Sequence, residues 1–218
     1  MPMQETANQQ QTVVVVNDFV IPSRNQQTVE QHRGQHFQIW FYPSPEAWGQ
    51  EQQQEGYYVK DLGMGFGVFK KMDPQLLEDG SEVSGSIMLR DNMLINIGEA
   101  YIVVNLLPEG LDEDGPHHTL KLKIFGGANN GETYDFTVED MMNQRREILI
   151  GRTPDCDIKV NDKLLSKIQS NITVDFHRNG KYKWVLHDGC KGKPSTNGTW
   201  LYINDDLQIF TGMVFKAN

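Results

Sequence analysis

Ile148-Leu-Ile-Gly-Arg-Thr-Pro-Asp-Cys-Asp-Ile158, Leu165-Ser-Lys-Ile-Gln169 and Ser195-Thr-Asn-Gly-Thr-Trp200 are the stretches on which the reading of this chain turns. Each is a short polar cluster set between strand-like apolar runs. Arg152, Ser166, Lys167, Thr196 and Asn197 all carry hydrogen-bond donors, two of them cationic, and each falls where a strand gives way to a loop. Loops at one end of a β-sandwich can bring such residues together while the sheets hold them rigid. The converging set predicts a donor-rich, positively charged pocket, which suits a phosphate dianion.

Outward from these clusters the patterning stays strand-like, and no stretch of helical periodicity exceeds about ten residues, so the expected class is all-β. Hydrophobic content is 38%, lowered by Gln9-Gln10-Gln11 and Gln52-Gln53-Gln54, which read as a solvated tail over 1–11 and a loop. The net charge of −9 disfavours nucleic acid as a partner. From Glu147 to Thr199, however, nine Lys or Arg stand against six Asp or Glu, so this stretch is +3 and the rest −12. Two cysteines, Cys156 and Cys190, imply no disulfide framework and fit a reducing compartment. Val13–Val16 is too short for a leader or membrane span. These features together predict a soluble intracellular protein of the cytoplasm or nucleus, with no membrane partner.

The three clusters resemble the signature of the forkhead-associated (FHA) domain family: Gly-Arg, then Ser-Arg-x-His, then (Ser/Thr)-x-Asn-Gly-Thr. Gly151-Arg152 matches the first element and Thr196-Asn-Gly-Thr199 the last, while Ser166-Lys-Ile-Gln169 matches the middle one with two substitutions. The resemblance implies an eleven-stranded β-sandwich that binds phosphothreonine peptides, uses no cofactor and has no catalytic activity. By the match, Arg152, Ser166 and Lys167 would contact the phosphate, and Thr196 and Asn197 the peptide backbone. Gly151 and Gly198 would be shape residues, as would Thr199. Lys167 keeps the charge but loses the planar fork of arginine. Gln169 stands where the family has a structural histidine, and it can still donate and accept.

An internal repeat extends the resemblance to the first half. Tyr57–Phe69 lines up with Trp184–Trp200, with Asp61 at Asp188 and Gly67 at Gly198. His36–Tyr42 reads as the strand that would precede it, and Leu94–Val104 as a closing hairpin. Residues 12–107 are therefore expected to form a degenerate FHA-like module, 108–117 an acidic linker, and 118–218 an FHA module. The first module's chemistry looks dismantled: Gly65, Phe66, Gly67 and Val68 replace Thr-Asn-Gly-Thr, no Gly-Arg is present, and Glu30, Gln31, His32 and Arg33 are weak substitutes. The first module is expected to lack its first strands, and the second its last one. A sequence that is a piece of a longer protein is the preferred explanation, and unusual strand pairing that closes both sandwiches is the other.

Two further motifs are decoys. Leu62-Gly-Met-Gly-Phe-Gly-Val68 imitates a kinase glycine loop, but the spacing is short and no His-Arg-Asp or Asp-Phe-Gly follows. Asp112-Glu-Asp-Gly115 lacks the alternation and terminal glutamate of a calcium loop. No metal site and no catalytic grouping is expected. The expected function is phosphothreonine-dependent binding of a partner protein, as an adaptor or scaffold. The alternative is a structural assembly protein that uses the same fold for phosphate-independent docking.

Overall fold

The computed structural model describes residues 36–43, 54–63, 67–76, 82–108, 119–143, 147–176 and 182–217. The expected tail over 1–11, nearly all of the expected linker, and Glu30–Arg33, Gly65 and Phe66 lie outside these residues. The fold is almost entirely β, as the alternation predicts. The first half gives β1 (Phe37–Tyr42), β2 (Gly56–Asp61), β3 (Val68–Lys71), β4 (Gln75–Leu76), β5 (Glu82–Val83), β6 (Ser86–Met88), β7 (Leu94–Ile97) and β8 (Ala100–Leu107). The second half gives β9 (Thr119–Phe125), β10 (Thr133–Thr137), the helix α1 (Val138–Asn143), β11 (Ile148–Gly151) and β12 (Ile158–Lys159). It continues with β13 (Ser170–Phe176), β14 (Tyr182–Asp188), β15 (Trp200–Tyr202), β16 (Leu207–Gln208) and β17 (Phe215–Ala217).

Local sequence explains the punctuation. Between β7 and β8, Gly98 takes a φ of 57°, and the buried Asn96 side chain donates to Gly98 O and Ala100 O, closing the hairpin. The start of α1 is a reciprocal cap: Thr137 Oγ1 accepts from Asp140 N at 3.1 Å, and Asp140 Oδ2 accepts from Thr137 N at 3.1 Å.

A seven-stranded sheet runs β10-β9-β8-β7-β15-β3-β17. On one of its faces lie two other sheets, side by side: five-stranded β12-β11-β13-β14-β6 and three-stranded β1-β2-β16. Strand alternation gives each layer an apolar inner face. The larger core joins Ile95, Ile102 and Val104 to Leu122, Ile150, Ile172, Trp184 and Leu186. The smaller joins Val59, Val68 and Ile203, flanked by Phe37, Leu207 and Phe215.

The strand pairing departs from the expectation of modules over 12–107 and 118–218 that stand as separate sandwiches. β14 pairs with β6 (Leu186↔Ile87) and β15 with β7 (Leu201↔Ile95), so the second half is closed by two strands of the first half, one in each sheet. Reciprocally, β2 pairs with β16 (Val59↔Leu207) and β3 with β17 (Lys70↔Phe215). β14–β15 and β2–β3 thus each take closing strands from the other half of the chain, and the two cores share one continuous sheet. The physical reason is degeneracy. β6 and β16, and likewise β7 and β17, present similar apolar alternation, so either strand of each kind satisfies the neighbouring strand's hydrogen bonds and inner face.

Candidate functional site

β11 ends on Gly151, whose backbone passes so close to the following loop that a Cβ there would collide with Lys167 O and stand 2.9 Å from Ile168 Cα. This close approach, rather than a special φ, requires glycine. It brings Arg152 beside Ser166 and Lys167, with Arg152 N 3.4 Å from Ser166 O. Thr153 Oγ1 and Cys156 Sγ both donate to Lys167 O, at 3.2 and 3.4 Å, and fix that residue's backbone. The 195–200 turn then docks on the same loop. Thr196 N donates to Ser166 Oγ at 3.0 Å, Ser166 Oγ donates to Thr196 Oγ1 at 3.3 Å, and Asn197 Nδ2 donates to Leu164 O at 2.6 Å. All five residues expected at the site therefore converge. Arg152, Lys167, Thr196 and Asn197 are exposed and Ser166 is half-buried. Neither Arg152 nor Lys167 meets a carboxylate among the described residues.

Behind this rim lies a buried polar network. Gln169 is 0% exposed; its Oε1 accepts from Ser166 N at 3.1 Å, and its Nε2 donates to Ser195 Oγ at 2.7 Å and Gly198 O at 3.0 Å. The amide therefore does structural work at the position where the resemblance implies a histidine. Ser195 Oγ also accepts from Gly198 N at 3.0 Å and donates to Asp188 Oδ1 at 2.6 Å. Asp188, 3% exposed, further accepts from Ser195 N at 3.0 Å and Thr199 Oγ1 at 2.7 Å. Each donor has a partner, so the low dielectric strengthens the network instead of penalising it. The turn is thereby held rigid while its outer face stays free to bind.

Four contributors escaped the sequence reading. Ser195 and Asp188 are the hubs of the network, and the only sign of Asp188 was its place in the internal repeat. Asp162 ties the site loop to the exchanged hairpin: its Oδ1 accepts from Leu164 N at 2.8 Å and its Oδ2 from Glu99 N at 3.2 Å. Lys71, on β3, crosses the buried Gly198, whose φ of 78° favours glycine. A Cβ there would collide with Lys71 Cε and meet its Cδ and Cγ at 3.0 Å. No long-range signal in the sequence links residue 71 to residue 198.

Among the described residues no group of His, Cys, Asp and Glu is placed to hold a metal ion, and no helix is long and apolar enough to cross a membrane. The fold and the rim define a β-sandwich whose rigid loops offer a concentrated set of donors. Residues 148–210 match the family model of the FHA domain. FHA domains are phosphopeptide-binding modules of protein–protein interaction and are generally not enzymes. No curated protein and no solved structure matches the chain. The strands β3 and β6–β10, which complete the sandwich around the site, lie outside the matched residues.

Proposed function

We propose that this protein binds phosphothreonine peptides of a partner protein and acts as a non-catalytic adaptor or scaffold inside the cell. In this reading Arg152, Ser166 and Lys167 hold the phosphate, while Thr196 and Asn197 hold the peptide backbone. The observation that carries it is the convergence of two cations without carboxylate partners and three further polar side chains on one rim, above a fully satisfied buried network. A phosphate offers up to two charges and three acceptor oxygens, which this rim can accept. Neither nucleic acid nor membrane has a place in it.

Arg152→Ala removes charge-assisted hydrogen bonds of about 1.5–3 kcal/mol each. Affinity for a phosphothreonine peptide, read by fluorescence anisotropy, should fall roughly tenfold to a hundredfold. Melting temperature should barely move, since the side chain is exposed. Equal peptide affinity in the two proteins refutes the assignment. The alternative, phosphate-independent docking, draws on an apolar patch elsewhere: Met142 is 66% and Phe176 53% exposed, beside Met141 and Val174. A partner that stays bound after complete dephosphorylation supports that alternative, and one that is released supports the phosphopeptide reading.

A further inference from the structure

We infer that Lys71 is a specificity-determining residue of the peptide site, selecting ligands that carry an acidic side chain beside the phosphothreonine on the Asn197 side. This rests on the phosphopeptide reading above and adds a ligand class to it.

Lys71 comes from the first half of the chain and reaches the site through the strand exchange. In the β3–β15 ladder it stands opposite Trp200, so both side chains rise from the same face of the seven-stranded sheet. Its stem runs across Gly198, the glycine of the Asn-Gly-Thr turn, so tightly that a single Cβ on that glycine would displace it. The ammonium group, one bond beyond Cε, therefore lies beside the Asn197–Gly198 backbone, where a bound peptide would run.

Among the described residues its charge is uncompensated. Neighbouring Lys70 forms an ion pair with Asp73, Lys60 with Asp206 and Lys121 with Asp135. Lys71 has no such partner among the described residues. A second cation continues the strip: Lys216 Nζ lies 4.7 Å above the Trp200 ring and hydrogen-bonds Asn96 Oδ1, again without a carboxylate. Burial pushes the Lys216 pKa below its ordinary value, as expected of a cation short of counter-charge. The Trp200 indole donates to Asn197 O at 3.1 Å, joining this strip to the peptide-holding residue. A carboxylate on a bound peptide supplies what both lysines lack.

The test is a set of anisotropy titrations with an Asp-scanned phosphothreonine peptide library, using the full chain, Lys71→Gln and Lys71→Arg. For the unaltered protein, the best Asp-bearing peptide should bind about two- to fivefold tighter than its Asn counterpart, the range of a partly exposed ion pair. That ratio should shrink as salt is raised. It should collapse to about one in Lys71→Gln and persist in Lys71→Arg, with circular dichroism confirming that both variants fold. If phosphopeptides bind the unaltered protein without preference for Asp at any position, Lys71 is not the selector although the phosphopeptide reading stands. Preference undiminished in Lys71→Gln overturns the inference in the same way. If no phosphopeptide binds at all, both readings fall together.

Discussion

β2–β3 and β14–β15 follow the same local plan: a strand runs to an aspartate, the chain turns through a glycine at positive φ, and a second strand begins. Gly67 has a φ of 100° and Gly198 of 78°. β3 and β15 are antiparallel neighbours, and the two glycines pack reciprocally: Tyr202 lies over Gly67 and Lys71 over Gly198. Each covering residue stands at the same offset past the other glycine, so the two units form an approximate two-fold pair. What differs is the content of the turns. Asp188 gathers Ser195 and Thr199 into a buried network, whereas the half-buried Asp61 takes Gly63 N at 3.0 Å and faces the Tyr202 hydroxyl, whose pKa it helps push up to about 12. A common backbone plan thus supports an exposed, network-backed polar turn in one unit and a packing contact in the other, and the buried polar residues beneath the turn decide which.

Separating the halves should have the largest effect. If closing strands are exchanged, fragments 1–107 and 108–218 made alone should each fail to unfold cooperatively, and mixing them should restore a common transition in a denaturant titration. Two independently folding fragments would mean that each repeat closes on itself. Next comes the contrast between the aspartates. Asp188→Ala strands several buried donors and should lower stability by about 3–5 kcal/mol, while Asp61→Ala, with fewer donors to strand, should cost about 1–2 kcal/mol. Equal losses in urea unfolding would dissolve the distinction between the two turns. The glycines should reverse that order. Alanine at Gly67 meets a Tyr202 ring that cannot bend away, whereas alanine at Gly198 meets a flexible lysine stem. Beyond the shared cost of positive φ, Gly67→Ala should lose about 2 kcal/mol and Gly198→Ala about 1 kcal/mol. A larger loss for Gly198→Ala contradicts the packing described.

The smallest effect concerns the residues just before each aspartate. Lys60 makes an exposed ion pair with Asp206, while His187 is half-buried with Nε2 2.9 Å from Thr173 Oγ1. Burial pushes the His187 pKa below its ordinary value, against the opposing pull of Asp175 and Glu147. A depressed pKa means that the unfolded chain takes up the proton more readily. The stability contribution is therefore present above the ordinary histidine value of about 6.5 and is lost as pH falls through the folded value. Melting temperature should decline over this acid range, and His187→Gln should flatten the decline. An unchanged profile would remove His187 as its source.

The sequence made much of the site legible. Gly151, Arg152, Ser166, Lys167, Gln169, Thr196, Asn197, Gly198 and Thr199 do come together on adjacent loops, because their offsets are those of strand ends on one side of a sandwich. Asp61 and Asp188, and the glycines aligned with them, Gly67 and Gly198, do stand at matching places around β2–β3 and β14–β15. Which strands close which unit was not legible, because Ile87 and Leu207, or Ile95 and Phe215, offer strands with the same alternation, and pairing energy between such strands is nearly blind to their origin. Lys71 was hidden for the same reason: its neighbour Gly198 is set by the exchange and by nothing local.

The exchange also decides how this gene could be cut. A segment trimmed to residues 148–210 would carry the whole rim proposed to contact phosphate and none of β6, β7, β8 or β9. Ile150, Ile172, Trp184 and Leu186, all essentially inaccessible in the intact chain, would then face water. At about 1.5–3 kcal/mol for each large apolar side chain, that exposure rivals the entire stability of an ordinary domain. Such a segment would display a correct recognition sequence on a chain prone to self-association, with β14 offering its bare edge to the next copy.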